Sequence, residues 1–134
     1  MDTGALIALI WQRDRDHERV RDHYLELRAS GDALITSNLV LAETATRLRY
    51  DAGLRHSLAF RTVIDEAVAS GRLSVRYTDA ELDSRAWDVL ERYADRALSF
   101  TDCVGAVTAR DARASSVFGL DADFSVLGFA VEPG

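Results

Sequence analysis

Lysine is absent from the chain, and its 16 basic residues other than histidine are all arginine. That absence excludes Schiff-base and pyridoxal-phosphate enzymes and Walker-A nucleotidases, each of which needs a lysine at the reacting point. It also removes the lysine that a receiver domain of the two-component type normally carries. There is one cysteine, so an intrachain disulfide and a cysteine-built zinc site are excluded. Cys103 lies in the apolar stretch LSFTDCVGAV and reads as a buried, inert thiol. Proline occurs once, at position 133, and glycine is sparse. No linker, repeat or low-complexity segment interrupts residues 1–134, which read as a single domain. No apolar run approaches the ~18 residues of a membrane span. The opening MDTGALIALIWQ lacks a basic n-region and a small-residue cleavage site, so it reads as mature structure and the protein as cytoplasmic.

What remains is ordinary for a globular domain with one core: 48% hydrophobic and 28% charged residues. The net charge of −6 argues against a protein that coats nucleic acid, which would be basic. An enzyme that meets phosphate through a bound cation remains compatible with it. Arginine suits such a substrate, because its planar fork can bind two oxygens at once.

Apolar periodicity predicts helices over residues 4–13, 15–29, 37–50 and 56–70, the last stopped by Gly71. Thr78 with Glu81, and Ser99 with Asp102, have capping-box spacing and predict helices running to about Ala94 and Ala112. Short strands are expected over residues 34–36, 73–77, 116–120 and 129–132. Strands separated by helices indicate an α/β fold whose mostly parallel sheet is covered on both faces. Sites in such sheets form at the carboxyl ends of the strands.

The distribution of charge is the informative feature. Windows 1–12, 33–46, 97–109 and 114–131 carry only five charged residues, Asp2, Glu43, Asp102, Asp121 and Asp123, all of them acidic. Such quiet windows should form the core, where an unpaired carboxylate is costly and several together raise one another's pKa. A divalent cation resolves the conflict, and Mg²⁺ or Mn²⁺ favours carboxylate oxygens. Each acid also has a plain structural role open to it. Asp2 could be a solvated terminal residue, Glu43 could pair with Arg47 one turn on, Asp102 could serve only the capping box, and Asp121 or Asp123 could close an Asx-turn. None of these roles accounts for four acids set in core-like sequence.

At these residues the chain resembles the PIN-domain ribonucleases, in particular the VapC-type toxins of bacterial toxin–antitoxin pairs. DTGALIAL resembles the family's opening aspartate motif, SNLVLAETATRL its glutamate helix, LSFTDCVGAVTAR the segment of its third acid, and VFGLDADFSVLGF its closing segment. The resemblance implies a three-layer α/β/α fold and a metal-dependent endoribonuclease. Asp2, Glu43 and Asp102 would be its main metal ligands and Asp121 the fourth, with Asp123 next to it. It also implies Thr3 as a supporting hydroxyl, Ser37 or Asn38 as orienting groups, RNA as substrate, a cognate antitoxin and a homodimer. The family carries a hydrophobic first strand before its first aspartate. Here only Met1 precedes Asp2, so either the true start lies upstream or the central strand is truncated; if truncated, Asp2 is expected to sit near a fraying end.

Two other readings use the same residues. A binding module would keep the fold without productive metal, whereas a phosphatase or a DNA nuclease would turn the same acids on another substrate. The stretch RLRYDAGLRHSLAFR, with Arg47, Arg49, Arg55 and Arg61 against Asp51 alone, is expected to contact substrate or partner. His17 and His23, within a highly charged helix, are expected at the surface.

Overall fold

A computed structural model describes residues 1–134. In chain order its elements are α1 (Thr3–Ile10), α2 (His17–Ser30), β1 (Leu34–Ser37), α3 (Asn38–Asp51), α4 (Leu54–Ala69), β2 (Leu73–Arg76), α5 (Ala80–Arg92), α6 (Phe100–Asp111), β3 (Ser116–Gly119), α7 (Asp123–Val126) and β4 (Ala130–Pro133). Four helices begin on side chains that accept from their first turn: Asp2 for α1, Ser37 for α3, Asp79 for α5 and Ser99 for α6. Each satisfies an N–H that would otherwise lack a partner. The Ser99–Asp102 capping box forms in both directions. The one expected at Thr78 and Glu81 does not, because Asp79, one residue on, takes the cap through Leu82 N–H at 2.8 Å. Gly71 follows α4 at φ +75°, a conformation that favours glycine and ends the helix as expected.

The strands form two parallel pairs. β1 lies beside β2 with Leu34 opposite Leu73, and β3 beside β4 with Ser116 opposite Ala130. Residues 1 and 2 bridge the pairs. The Met1 amine donates to Ile35 O at 2.8 Å and Thr36 Oγ1 donates to Met1 O at 3.1 Å. On the other side Asp2 N–H donates to Phe118 O at 3.0 Å. The order is therefore β2, β1, residues 1–2, β3, β4. Asp2 does not sit at the fraying end expected, for residues 1–2 are tied on both flanks and Asp2 is only 7% exposed.

Both faces of this sheet are covered, as β3 demonstrates. Val117 packs into one core with Leu82, Val104 and Phe124 from α5, α6 and α7. Its neighbour Phe118 packs into another with Ala5, Ala8 and Val20 from α1 and α2. Adjacent strand residues point to opposite faces, so the layers are α/β/α. A third core joins Leu6 and Ile7 of α1 to Val40 and Leu48 of α3 and Phe60 of α4. Cys103 is fully buried, in keeping with the inert thiol expected.

Asp111, the last residue of α6, ties three elements. It accepts two parallel bonds from Arg85 at 2.7 and 2.8 Å and one from Arg76 at 2.5 Å. The bonds from Arg85 and then Arg76 hold its carboxyl well below the usual carboxylate range. A depressed carboxylate pKa contributes stability above the unfolded value, about 3.9, that is lost as pH falls through the folded one. Asp111→Asn should therefore lower the urea midpoint at pH 7. The difference from wild type should narrow below about pH 3.9; a gap unchanged between pH 7 and pH 3 would remove the ion pairs as its cause.

Candidate functional site

A cleft of about 280 Å³ opens where β1, residues 1–2 and β3 reach their carboxyl ends, the position expected of a site in a parallel sheet. Asp2, Glu43, Asp102 and Asp121 all line it. Four acids spread over 120 positions are thus brought to one place by four elements. Asp123 does not line the cleft; its N–H donates to Asp121 Oδ1 at 2.9 Å, an Asx-turn that leads into α7.

Each acid is held by local backbone chemistry. Asp2 Oδ1 accepts from Ala5 N–H at 2.9 Å, in the first turn of α1. Asp102 Oδ2 accepts from Ser99 N–H at 2.9 Å, completing the capping box of α6. Glu43 projects from α3, one turn before Arg47, which lines the same cleft. The Glu43–Arg47 ion pair does not form, and none of the five acids belongs to any ion pair in the molecule.

The electrostatic consequence is visible in two of them. Burial raises the pKa of Asp2, with the Ala5 N–H opposing and the charge of Asp121 adding. Burial likewise raises that of Asp102, opposed by Ser99 and reinforced by the charges of Asp121 and Glu43. These groups sense one another across the cleft. They do not close around a point, for no three acidic, histidine or cysteine side chains stand within joint ligation distance.

The donor set fits a hard divalent cation. Every ionisable donor is a carboxylate, none has a cationic partner, and Mg²⁺ is commonly bound through one or two carboxylates with waters filling the remaining positions. A further polar group lies in the wall, where Thr108 Oγ1 is buried without a hydrogen-bond partner. Thr3 and Ser37 also line the cleft, but Ser37 Oγ is already engaged by Val40 N–H at 3.2 Å. Asn38 is not part of it; its Oδ1 accepts from Thr78 N–H at 3.0 Å and so secures the connection from β2 to α5.

Gly119 escapes a reading by residue chemistry, since it contributes no functional group. It closes β3 directly against Asp2. A Cβ at this position would stand 2.5 Å from Asp2 Oδ2 and 2.8 Å from its Cγ, so a side chain here would displace the carboxylate. At Gly105, which also lines the cleft, an added Cβ would meet Phe124 at an ordinary 3.5 Å. Gly119→Ala should cost about 1–3 kcal/mol in urea unfolding, as overpacking does, and weaken Mn²⁺ binding. Gly105→Ala, inside α6, should be neutral or stabilising by up to ~1 kcal/mol. Equal behaviour of the two variants would contradict the close approach at Asp2.

Comparison with known proteins agrees with this arrangement. The family model for the PIN domain matches residues 1–130. The chain is 32% identical over 96 residues to the 23S rRNA-specific endonuclease VapC20 of Mycobacterium tuberculosis, covering 72% of this chain and 70% of that protein. It is 27% identical over 113 residues to a VapC ribonuclease of Archaeoglobus fulgidus, covering 83% and 69%. The crystal structure of VapC20 from M. tuberculosis, described as a sarcin-ricin loop cleaving toxin, superposes with a TM-score of 0.82 at 30% identity, covering 96% of this chain and 94% of that one. With the short parallel sheet, its two helical layers and four acids at the strand ends, this match along almost the whole chain gives one conclusion: the chain belongs to the PIN domain family.

Proposed function

We propose that this protein is a metal-dependent endoribonuclease, the toxin of a type II toxin–antitoxin pair. The observation that carries the reading is the convergence of four unpaired carboxylates, from four separate segments, on one cleft. The likeness to two VapC ribonucleases supports RNA as the substrate. Asp2, Glu43, Asp102 and Asp121 would hold Mg²⁺ or Mn²⁺, with Asp123 keeping Asp121 oriented. When bound, such a cation neutralises charge at the phosphate and makes a water acidic enough to be a nucleophile at neutral pH.

The chain's own residues would do the rest. The amides of Ala5 and Ser99 hold one oxygen each of Asp2 and Asp102. Arg47, unpaired at the cleft edge, would meet a phosphate oxygen with its guanidinium. The buried walls lower the local dielectric and strengthen each of these interactions.

As in the VapC-type resemblance, we infer a protein antitoxin that covers the cleft and a homodimer. Exposed Tyr50, Leu54 and Leu58 of α3 and α4, and Trp87 of α5, are surfaces such partners would cover. No helix is long and apolar enough to cross a membrane.

The test is cleavage of a labelled RNA pool by wild type and Asp102→Asn, with Mn²⁺, with Mg²⁺ and with EDTA. Loss of an outer-shell partner costs a metal site 10- to 100-fold, so loss of Asp102 should cost on the order of 100-fold or more. Mn²⁺ should also raise the melting temperature of wild type, since it binds only the folded state, and do so much less for the variant. Metal-independent cutting, or a melt indifferent to Mn²⁺, would reject the metal centre. Equal cutting of DNA would replace the ribonuclease with a general nuclease.

A further inference from the structure

A second pocket lies at the other end of the helices that carry Thr3, Gly4 and Glu43 to the acid cleft. Val40, Glu43 and Arg47 line the cleft from α3, and Asp51 and Ala52 line a pocket of about 620 Å³ at the far end of that helix. Positions 40, 43, 47 and 51 recur at helical spacing and form one stripe. α1 spans the same interval, for Thr3 and Gly4 stand at the cleft while Ile10 and Trp11 stand at the pocket. α1 and α3 pack against each other through Leu6, Ile7, Val40 and Leu48, so the two openings lie at opposite ends of this helix pair. From Glu43 to Asp51 the rise is eight residues, about 12 Å, a span of a few nucleotides.

The chemistry of this pocket differs from that of the cleft. Arg13 and Arg55 line it, and neither has a hydrogen bond or ion pair from its side chain. His56 lines it too, with Nδ1 buried and without a partner. Arg55 and His56 belong to the first turn of α4, which starts at Gly53 with no side-chain cap and contains no acid. His56 and Ser57 N–H donate to Gly53 O at 3.1 and 3.3 Å, which leaves the N–H groups of Leu54 and Arg55 at the helix start, where an anion is favoured. Trp11, half-buried, supplies an aromatic surface at the rim. Asp51 is the one opposing charge, and it is paired with neither arginine.

We propose that this pocket is an RNA subsite. It takes a backbone phosphate of the single strand a few nucleotides from the one cleaved, held by Arg13 and Arg55, with the strand passing over Arg47 on its way from the cleft. The assignment rests on the ribonuclease reading for its ligand, but its residues lie outside the metal-binding set and can be tested without metal. The pocket supplies affinity for RNA and takes no part in the chemistry. The stretch 47–61, rich in arginine, is then divided by the fold: Arg47 and Arg55 serve this track, whereas Arg61 is committed to Asp65 at 3.6 Å, one turn on in α4.

The experiment measures binding of a labelled single-stranded RNA oligonucleotide in EDTA, by fluorescence anisotropy, across a salt series. Arg13→Ala and Arg55→Ala should each weaken binding about 5- to 10-fold, as loss of a charged hydrogen bond does. Each should reduce the slope of log affinity against log salt by ~0.7. Asp51→Asn should act in the opposite direction and tighten binding about twofold, the size of one exposed charge's effect. A merely structural role for these residues would move neither the salt slope nor the sign. With Mn²⁺ present, both arginine variants should raise KM for RNA at unchanged kcat and leave hydrolysis of bis(p-nitrophenyl) phosphate untouched, because that ester is too small to reach the pocket. Unchanged affinity and slope in both arginine variants, or wild type without RNA affinity, would overturn the subsite. Wild type that binds RNA through the arginines yet cleaves neither RNA nor the small ester would instead overturn the ribonuclease reading alone.

Discussion

The carboxylates of Asp2, Asp102 and Asp121 repel one another, and each is held in place by an amide N–H at the start of a helix. That pairing of like-charge repulsion with local backbone attraction is what the site depends on. A cationic side chain would relieve the repulsion more strongly but would occupy the cleft. A helix N-terminus relieves part of it with partial charge fixed in the backbone and places no side chain in the cleft. α1 and α7 start where residues 1–2 and β3 end side by side in the sheet, and α6, which follows α5, brings its first turn to the same cleft. Burial first, and the neighbouring carboxylates second, raise the pKa of Asp2 and Asp102.

Much of this was legible before any coordinates. The fold class followed from alternating strand and helix signals, and four of the five acids picked out by their charge-free surroundings do line one cleft. The Ser99–Asp102 box was readable because both of its partners are local in sequence. The box at Thr78 misled because two adjacent residues, Thr78 and Asp79, compete for one helix start, and which wins depends on where the strand before them ends. α7 was missed because four residues are too few to show a period. Asp121 and Asp123 were hard to separate for the same reason, since their difference lies in the turn between them. Gly119 was invisible to residue chemistry, its contribution being the space it leaves for a carboxylate more than 100 residues away in sequence.

Met1 and Asp2 stand between the two strand pairs at the centre of the sheet. Three hydrogen bonds to β1 and β3 join the two pairs, and the apolar layers above and below do the remaining work. Val117 and Phe118 commit adjacent residues to opposite cores, so β3 is pinned on both sides whatever the length of its neighbour. Placement of the first acid thus comes from packing around it more than from the strand that carries it.

The double employment of Asp102 changes how loss of function here should be interpreted. The same carboxylate that faces the cleft also closes the first turn of α6 through Ser99, and α6 supplies Cys103, Val104, Ala106 and Val107 to the largest core. Removing the side chain with alanine would silence the enzyme and unfasten a central helix in one stroke, and an assay in cells could not tell poisoned chemistry from vanished protein. Asparagine, which keeps an oxygen to accept the Ser99 amide, separates the two. On the reading proposed above, a substitution at this position acts on stability and on chemistry at once, and only a variant that keeps the acceptor tells them apart.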